Sequence, residues 1–177
     1  MAITRIGPNQ SINLASNITG TLPTANGGTG ATSFSPGKAL QIISTPDVGG
    51  LSQASSNSTT YADISGVDLV LTPTASSSKF LLFLSYNIDT GGDGHGIGAR
   101  LTYNHSGISQ TEVDDRYGQS NFHITADRAN TWQAQNYYLA PNTTNAITFR
   151  IQINANTNGE TGYFNRGTAR IMAVEYA

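Results

Sequence analysis

Three histidines and a few carboxylates are the residues best suited to chemistry. His95, His105 and His123 could ligate a metal together with Asp89, Asp93 or Asp114. None stands at a close ligand spacing such as His-x-x-x-His, so the pattern does not support a metal centre. Glu112, Asp114 and Asp115 cluster beside Arg116 and could offer oxygens to Ca²⁺, but the same composition describes a solvated loop. Glycoside hydrolysis needs two opposed carboxylates, and the chain's acidic residues fall mostly in turns with no evident pair. No Gly-x-Ser-x-Gly elbow is present for an acyl-transfer nucleophile. Gly94-His95-Gly96-Ile97-Gly98-Ala99 formally matches the dinucleotide fingerprint, which requires a helix to follow. Ile97 to Tyr103 has the two-residue alternation of a strand instead. Gly27-Gly28-Thr29-Gly30-Ala31-Thr32 lacks the lysine of a phosphate-binding loop. These residues support no catalytic, cofactor or metal site, and the expectation is a non-enzymatic protein.

Composition narrows the class further. Of 177 residues, 11% are charged and none is cysteine, and the net charge is −2. Disulfide and thiolate chemistry are thereby excluded. No basic stripe follows a phosphate backbone, so nucleic acid is not an expected partner. No apolar run reaches the ~20 residues of a membrane span, and no secretory leader core is expected at the start. Glycine, serine, threonine and asparagine supply the polarity, a mixture that favours strands joined by turns.

The elements that would position any site are short strands. They are expected at 39–44, 60–64, 67–72, 79–88, 97–103, 108–113, 121–126, 131–139, 146–155, 161–165 and 168–176. The segments 60–64 and 67–72 read as a pair around Ser65-Gly66, with Val67, Leu69 and Leu71 on one face. Phe80-Leu81-Leu82-Phe83-Leu84 is continuously apolar, which predicts burial on both faces, as in a sandwich centre or at a subunit interface. Ile147, Phe149, Ile151 and Ile153 alternate cleanly. Ala169, Ile171, Ala173 and Glu175 share one side of the last strand. Trp132, Tyr137 and Tyr138 could stack on a sugar, although alternation should divide them between core, interface and surface. With no amphipathic helix and no short internal repeat, the reading is an all-β sandwich, most simply a jelly roll.

The first 33 residues differ from the rest. They carry only Arg5 as a charge, and Ile3, Ile6, Ile12, Leu14, Ile18 and Leu22 follow no period. Such a segment cannot build a core, and fully extended it could reach about 110 Å. It reads as an extended arm and glycine-rich linker (1–33) ahead of a β head (34–177), with those six apolar residues as candidate anchor pegs.

Ile18-Thr19-Gly20-Thr21-Leu22-Pro23-Thr24-Ala25-Asn26-Gly27-Gly28-Thr29-Gly30-Ala31-Thr32 resembles the linker of many tailed-bacteriophage fibre proteins. The segments Leu71 to Leu82, Gly98 to Leu101, Ala140 to Thr144, Tyr163 to Arg166 and Ala169 to Tyr176 are similar to tumour-necrosis-factor-like jelly-roll heads on such fibres. The resemblance implies a homotrimer whose inner sheets meet on a three-fold axis, with Phe80, Leu82, Leu84, Tyr138 and Tyr176 in the trimer interface or core. It also implies a place on the virion surface. The expected function is a short trimeric fibre anchored to tail or capsid by its arm, with a head that contacts the host surface, where a glycan is a candidate ligand. The competing reading is a capsid decoration protein that staples capsomers and has no receptor role.

Overall fold

The computed structural model describes residues 39–46, 49–90, 96–113, 120–123, 130–155 and 161–177; at 90, 120–123 and 130 the description is of the backbone alone. The arm and its six pegs lie outside the described residues, so the division at residue 33 is an expectation from sequence.

Among the described residues, eleven strands form two sheets: β1 (Ala39–Ser44), β2 (Ala54–Ser56), β3 (Ala62–Asp63), β4 (Leu69–Leu71), β5 (Lys79–Thr90), β6 (Gly96–His105), β7 (Ile108–Glu112), β8 (Ser120–His123), β9 (Asn130–Leu139), β10 (Ile147–Ala155) and β11 (Gly162–Tyr176). One sheet has the order β1-β11-β5-β9 with β2 beside β11, and the other has β3-β10-β6-β7 with β4 beside β10 and β8 beside β6. The pairings nest: β1 with β11, β4 with β10, β5 with β9 and β6 with β8. All are antiparallel, as in one long hairpin rolled up on itself, so the chain is an all-β jelly-roll sandwich.

The core is what the alternating positions predict. Ile147, Phe149, Ile151 and Ile153 of β10 are buried, as are Ile97, Ala99 and Leu101 of β6 and Ala169, Ile171 and Ala173 of β11. Each large side chain so buried contributes about 1.5–3 kcal/mol. The fingerprint-like Gly96-Ile97-Gly98-Ala99 lies within β6, a strand with no helix after it.

Four expectations need correction. First, β3 and β4 do not pair with each other. They lie end to end along β10, at Gln152–Ile153 and Ile147–Phe149 respectively. The ten-residue hydrogen-bonding edge of β6 already covers the other side of β10, so this edge is where both can be satisfied. Second, β2 forms in what read as a loop, its Ala-Ser-Ser paired by backbone to Gly162–Phe164, with Ala54 packed against the core as its one apolar contribution. Third, the two final strands are one, β11, whose pairing with β5 breaks register between Asn165 and Arg170. Gly167 and Thr168 occupy that irregularity, which explains why the apolar period resets there. Fourth, Phe80 to Leu84 is not buried throughout: Phe80, Leu82 and Leu84 are core, while Leu81 and Phe83 are 43% and 37% exposed on the outward face of the sheet.

The close approach of the sheets is visible at Gly162. A Cβ there would lie 2.7 Å from Ile97 Cβ and 3.3 Å from the Gly96 carbonyl oxygen. Gly162→Ala should therefore destabilise the protein by about 1–3 kcal/mol through overpacking. Urea denaturation would register this as a lower midpoint at unchanged slope.

Candidate functional site

The two outward faces of the sandwich differ in kind. On the β1-β11-β5-β9 sheet, register places Ile42, Val174, Leu81 and Tyr138 in one row across all four strands. The next row runs Ser44, Met172, Phe83 and Asn136. Ile42 is 64% and Tyr138 52% exposed, and Leu81 and Phe83 are exposed beside them, while Val174 and Met172 are half-buried. The pleat produces this stripe: with Phe80, Leu82 and Leu84 committed to the core, the intervening apolar residues must point outward. Among the described residues, Lys79, Arg170 and the buried Asp89 are the charged groups that register places on this face, with Lys79 and Arg170 in the rows that flank the stripe. Toward the Arg170 end, Trp132 stands in a row with Asn87 and Asn165.

The outward face of the other sheet carries a ladder of paired polar side chains, in which Asn104 Oδ1 and Asn154 Oδ1 are left without a partner among the described residues. Arg100 pairs with Glu112 and donates from Nε to Gln152 Oε1 at 2.8 Å. Asp63 Oδ1 accepts from Gln152 Nε2 at 2.7 Å and Gln110 Nε2 at 2.6 Å. Arg150 Nε donates to Asp68 Oδ2 at 3.1 Å. The Arg100 guanidinium lies 4.1 Å from the Tyr61 ring centroid. Burial raises the Tyr61 pKa and the Arg100 charge opposes that rise. Each charge has a partner on its own sheet, so the face gains little by docking.

Of the residues proposed from sequence, Phe80, Leu82 and Leu84 are fully buried in the core, Tyr138 is exposed on the apolar face and Tyr176 is half-buried at its edge. Tyr137 is buried, Trp132 is 65% exposed, and the three aromatics of β9 thus do not converge. His95, Asp93, Asp114 and Asp115 and the side chain of His123 lie outside the described residues. Asp89 is buried in β5. His105 sits at the β6–β7 turn, its Nδ1 2.9 Å from the Ser106 carbonyl and its ring stacked 6.3 Å from Tyr103. Among the described residues no three His, Asp or Glu side chains come together as a metal site.

Two features escaped sequence reading. The Tyr61–Arg100 contact joins residues 39 apart across separate strands and has no local signature. Alternation put Glu175 on one side of the last strand with Ala169, Ile171 and Ala173, but not its environment: it is 0% exposed. Its Oε1 accepts from the Thr74 amide at 2.7 Å and the Thr74 hydroxyl at 2.6 Å, while Oε2 accepts from Gln41 Nε2.

No family model matches the chain, and no curated protein matches it in sequence. Among solved structures it is similar to Eiger TNF from S. frugiperda, at 10% identity and a TM-score of 0.40, over 80% of this chain and 88% of that one. It is also similar to a chain of the T13 IBDV viral particle, at 13% identity and TM-score 0.42, over 98% of this chain and 39% of that one. A chain of the infectious bursal disease virus Gx strain matches at 12% identity and TM-score 0.37, over 77% of this chain and 36% of that one. The present chain thus spans well under half of either viral chain. Likeness of this degree carries no functional inference, and the fold is read from the strand order itself.

Proposed function

We propose that the protein is a non-enzymatic virion structural protein, a short homotrimeric fibre attached to the particle by its N-terminal arm. The observation that carries this reading is the apolar stripe crossing all four strands of one sheet, set against the ion-paired, mainly polar face of the other. A flat apolar face bordered by polar residues marks a protein–protein contact. A second copy is the occupant that fits: the face has few charges to complement, and three copies sharing it about an axis would shield it without an extra partner. The linker and head segments that resemble phage fibres point the same way, to an arm that engages other virion proteins and a head that faces the host.

The arm's contribution follows from composition. Each of Ile3, Ile6, Ile12, Leu14, Ile18 and Leu22 could bury in a neighbouring protein for about 1.5–3 kcal/mol. Ordering the backbone costs about 1–2 kcal/mol per residue, so one arm would hold weakly. Three arms on one trimer raise the effective concentration and make attachment durable. Deleting residues 2–33 should leave soluble trimers that no longer join particles. Full incorporation of the truncated protein would instead make the head the docking surface, as in a capsid decoration protein.

A further inference from the structure

We propose that Glu175 is a proton-operated latch on β1: protonation frees Gln41 and lets β1 leave the sandwich while the remaining strands stay folded. The geometry is specific. Glu175 is sealed from water on β11, and among the described residues it has no cation beside it. Hydrogen-bond donors take the place of a counter-ion. Oε1 holds both Thr74 donors, while Oε2 faces Gln41, whose Nε2 also donates to the Thr72 carbonyl at 2.8 Å. Ser78 also donates to this carboxylate, and protonation at Oε2, the oxygen that Gln41 holds, is the state that operates the latch. The new O–H then confronts the Gln41 N–H, donor against donor. Turning the Gln41 amide relieves that clash but sets its oxygen against the Thr72 carbonyl. One side or the other of Gln41 loses its hydrogen bond, and Gln41 is the polar link from β1 to both neighbours.

β1 is poorly placed to bear that loss. It is an edge strand of six residues with none of its side chains fully buried, whereas β10 buries every second residue. Local opening occurs where few apolar contacts resist it. Among the described residues no other charged group acts on the carboxylate. β1 and the Thr72–Ser78 segment contain none. On β5, Lys79 flanks Phe80, the residue paired with Glu175, and Tyr176 follows Glu175 on β11. On β9 the inward Tyr137 hydroxyl donates to Gln135. The inward positions of β4 and β10 are aliphatic or aromatic, with Asp68 and Arg150 paired on the outward side.

Burial pushes the Glu175 carboxyl upward, but the Ser78, Thr74 and Gln41 donors outweigh it and hold the pKa below the usual glutamate value. For a depressed carboxyl the stabilisation is complete above the unfolded pKa and is lost as pH falls through the folded one. Release of β1 is therefore an acid event, below the ordinary carboxylate range.

Hydrogen exchange on the full chain, corrected for the intrinsic pH dependence of the chemical rate, tests this between about pH 7 and pH 2.5. Protection of 39–44 should fall roughly ten- to hundredfold, the equivalent of a lost hydrogen bond to a charged group, while protection of 147–155 holds. Glu175→Gln should show the low β1 protection already at neutral pH, with no further pH dependence. If that variant does not fold, Gln41→Met, which leaves both Thr74 donors in place, should do the same. Three results would overturn the latch: both segments losing protection together, β1 protection independent of pH, or variants that keep the wild-type response. Sedimentation at each pH identifies trimer dissociation; β1 loss that tracks it equally in wild type and variants would count against the latch.

Discussion

Leu81→Asp combined with Phe83→Asp should give a folded monomer. Both residues point away from the core on β5, the central strand of the apolar face, and both are more than a third exposed in the single chain. Their replacement leaves the sandwich interior untouched, and the protomer should lose only the ~1 kcal/mol scale of a poor strand former. In a trimer the same carboxylates would be buried without a partner, at about 3–5 kcal/mol each. Six such groups in one assembly exceed what a three-fold contact can absorb. Sedimentation should show wild type as a trimer and the double variant as a monomer, with circular dichroism and cooperative melting retained. Val70→Asp, on the outward side of the other sheet where Val70 is 58% exposed, is the control and should remain trimeric. A wild-type protein that is a stable monomer at micromolar concentration, or a double variant that stays trimeric, would remove the basis for the proposed fibre.

The fold was legible wherever one face of a strand is buried and the other is not. β6, β10 and the second half of β11 announce themselves by period-two alternation, because a one-residue slip would turn every core residue outward. The continuous apolar run of β5 was harder. Sequence cannot tell a strand buried on both faces from one whose second face is held for a partner, and only the register with Tyr138, Val174 and Ile42 shows that the surplus apolar residues line up. β2 was invisible because its backbone pairing is supported by a single small apolar side chain, Ala54, which leaves no period to read. The relation of β3 to β4 was misjudged because turn residues at Ser65-Gly66 report a change of direction and not which strand lies alongside. Gly66 does adopt a left-handed φ of 86°, as a turn would require. Instead of closing a hairpin, it lets the chain pass from the end of β3 to the start of β4 on the same edge of β10. Little of the candidate self-association face was legible: of the interface or core residues named from sequence, Phe80, Leu82 and Leu84 point inward and Tyr138 alone lies in the stripe, while Ile42, Leu81, Phe83 and Val174 emerge only from the pleat and register.

Phe164→Ala should be among the most damaging single changes to the protomer. Phe164 and Tyr86 are both 0% exposed, and their rings stack at 5.1 Å with an interplanar angle of 24°. They sit on adjacent strands, with Phe164 opposite Ile88, just before β11 loses register with β5. Beyond that point several residues of β11 lack a regular β5 partner, so side-chain packing carries the load that the ladder carries elsewhere. Truncation to alanine removes a large ring where the surrounding sheets are tied by their own hydrogen bonds and cannot collapse, and it should cost about 3–5 kcal/mol. Phe164→Leu fills more of the space and should recover part of that loss. A double-mutant cycle with Phe164→Leu and Tyr86→Leu should show a coupling of about 0.5–1.5 kcal/mol, the value of an aromatic pair beyond its buried area. Because unfolding of an assembly depends on protomer concentration, every variant is compared by urea denaturation at one fixed concentration. Additive losses in the cycle would mean that the stack contributes no more than the area it buries. A cost for Phe164→Ala below ~1 kcal/mol would mean that the register break in β11, and not the ring pair, sets the local stability of this end of the sandwich.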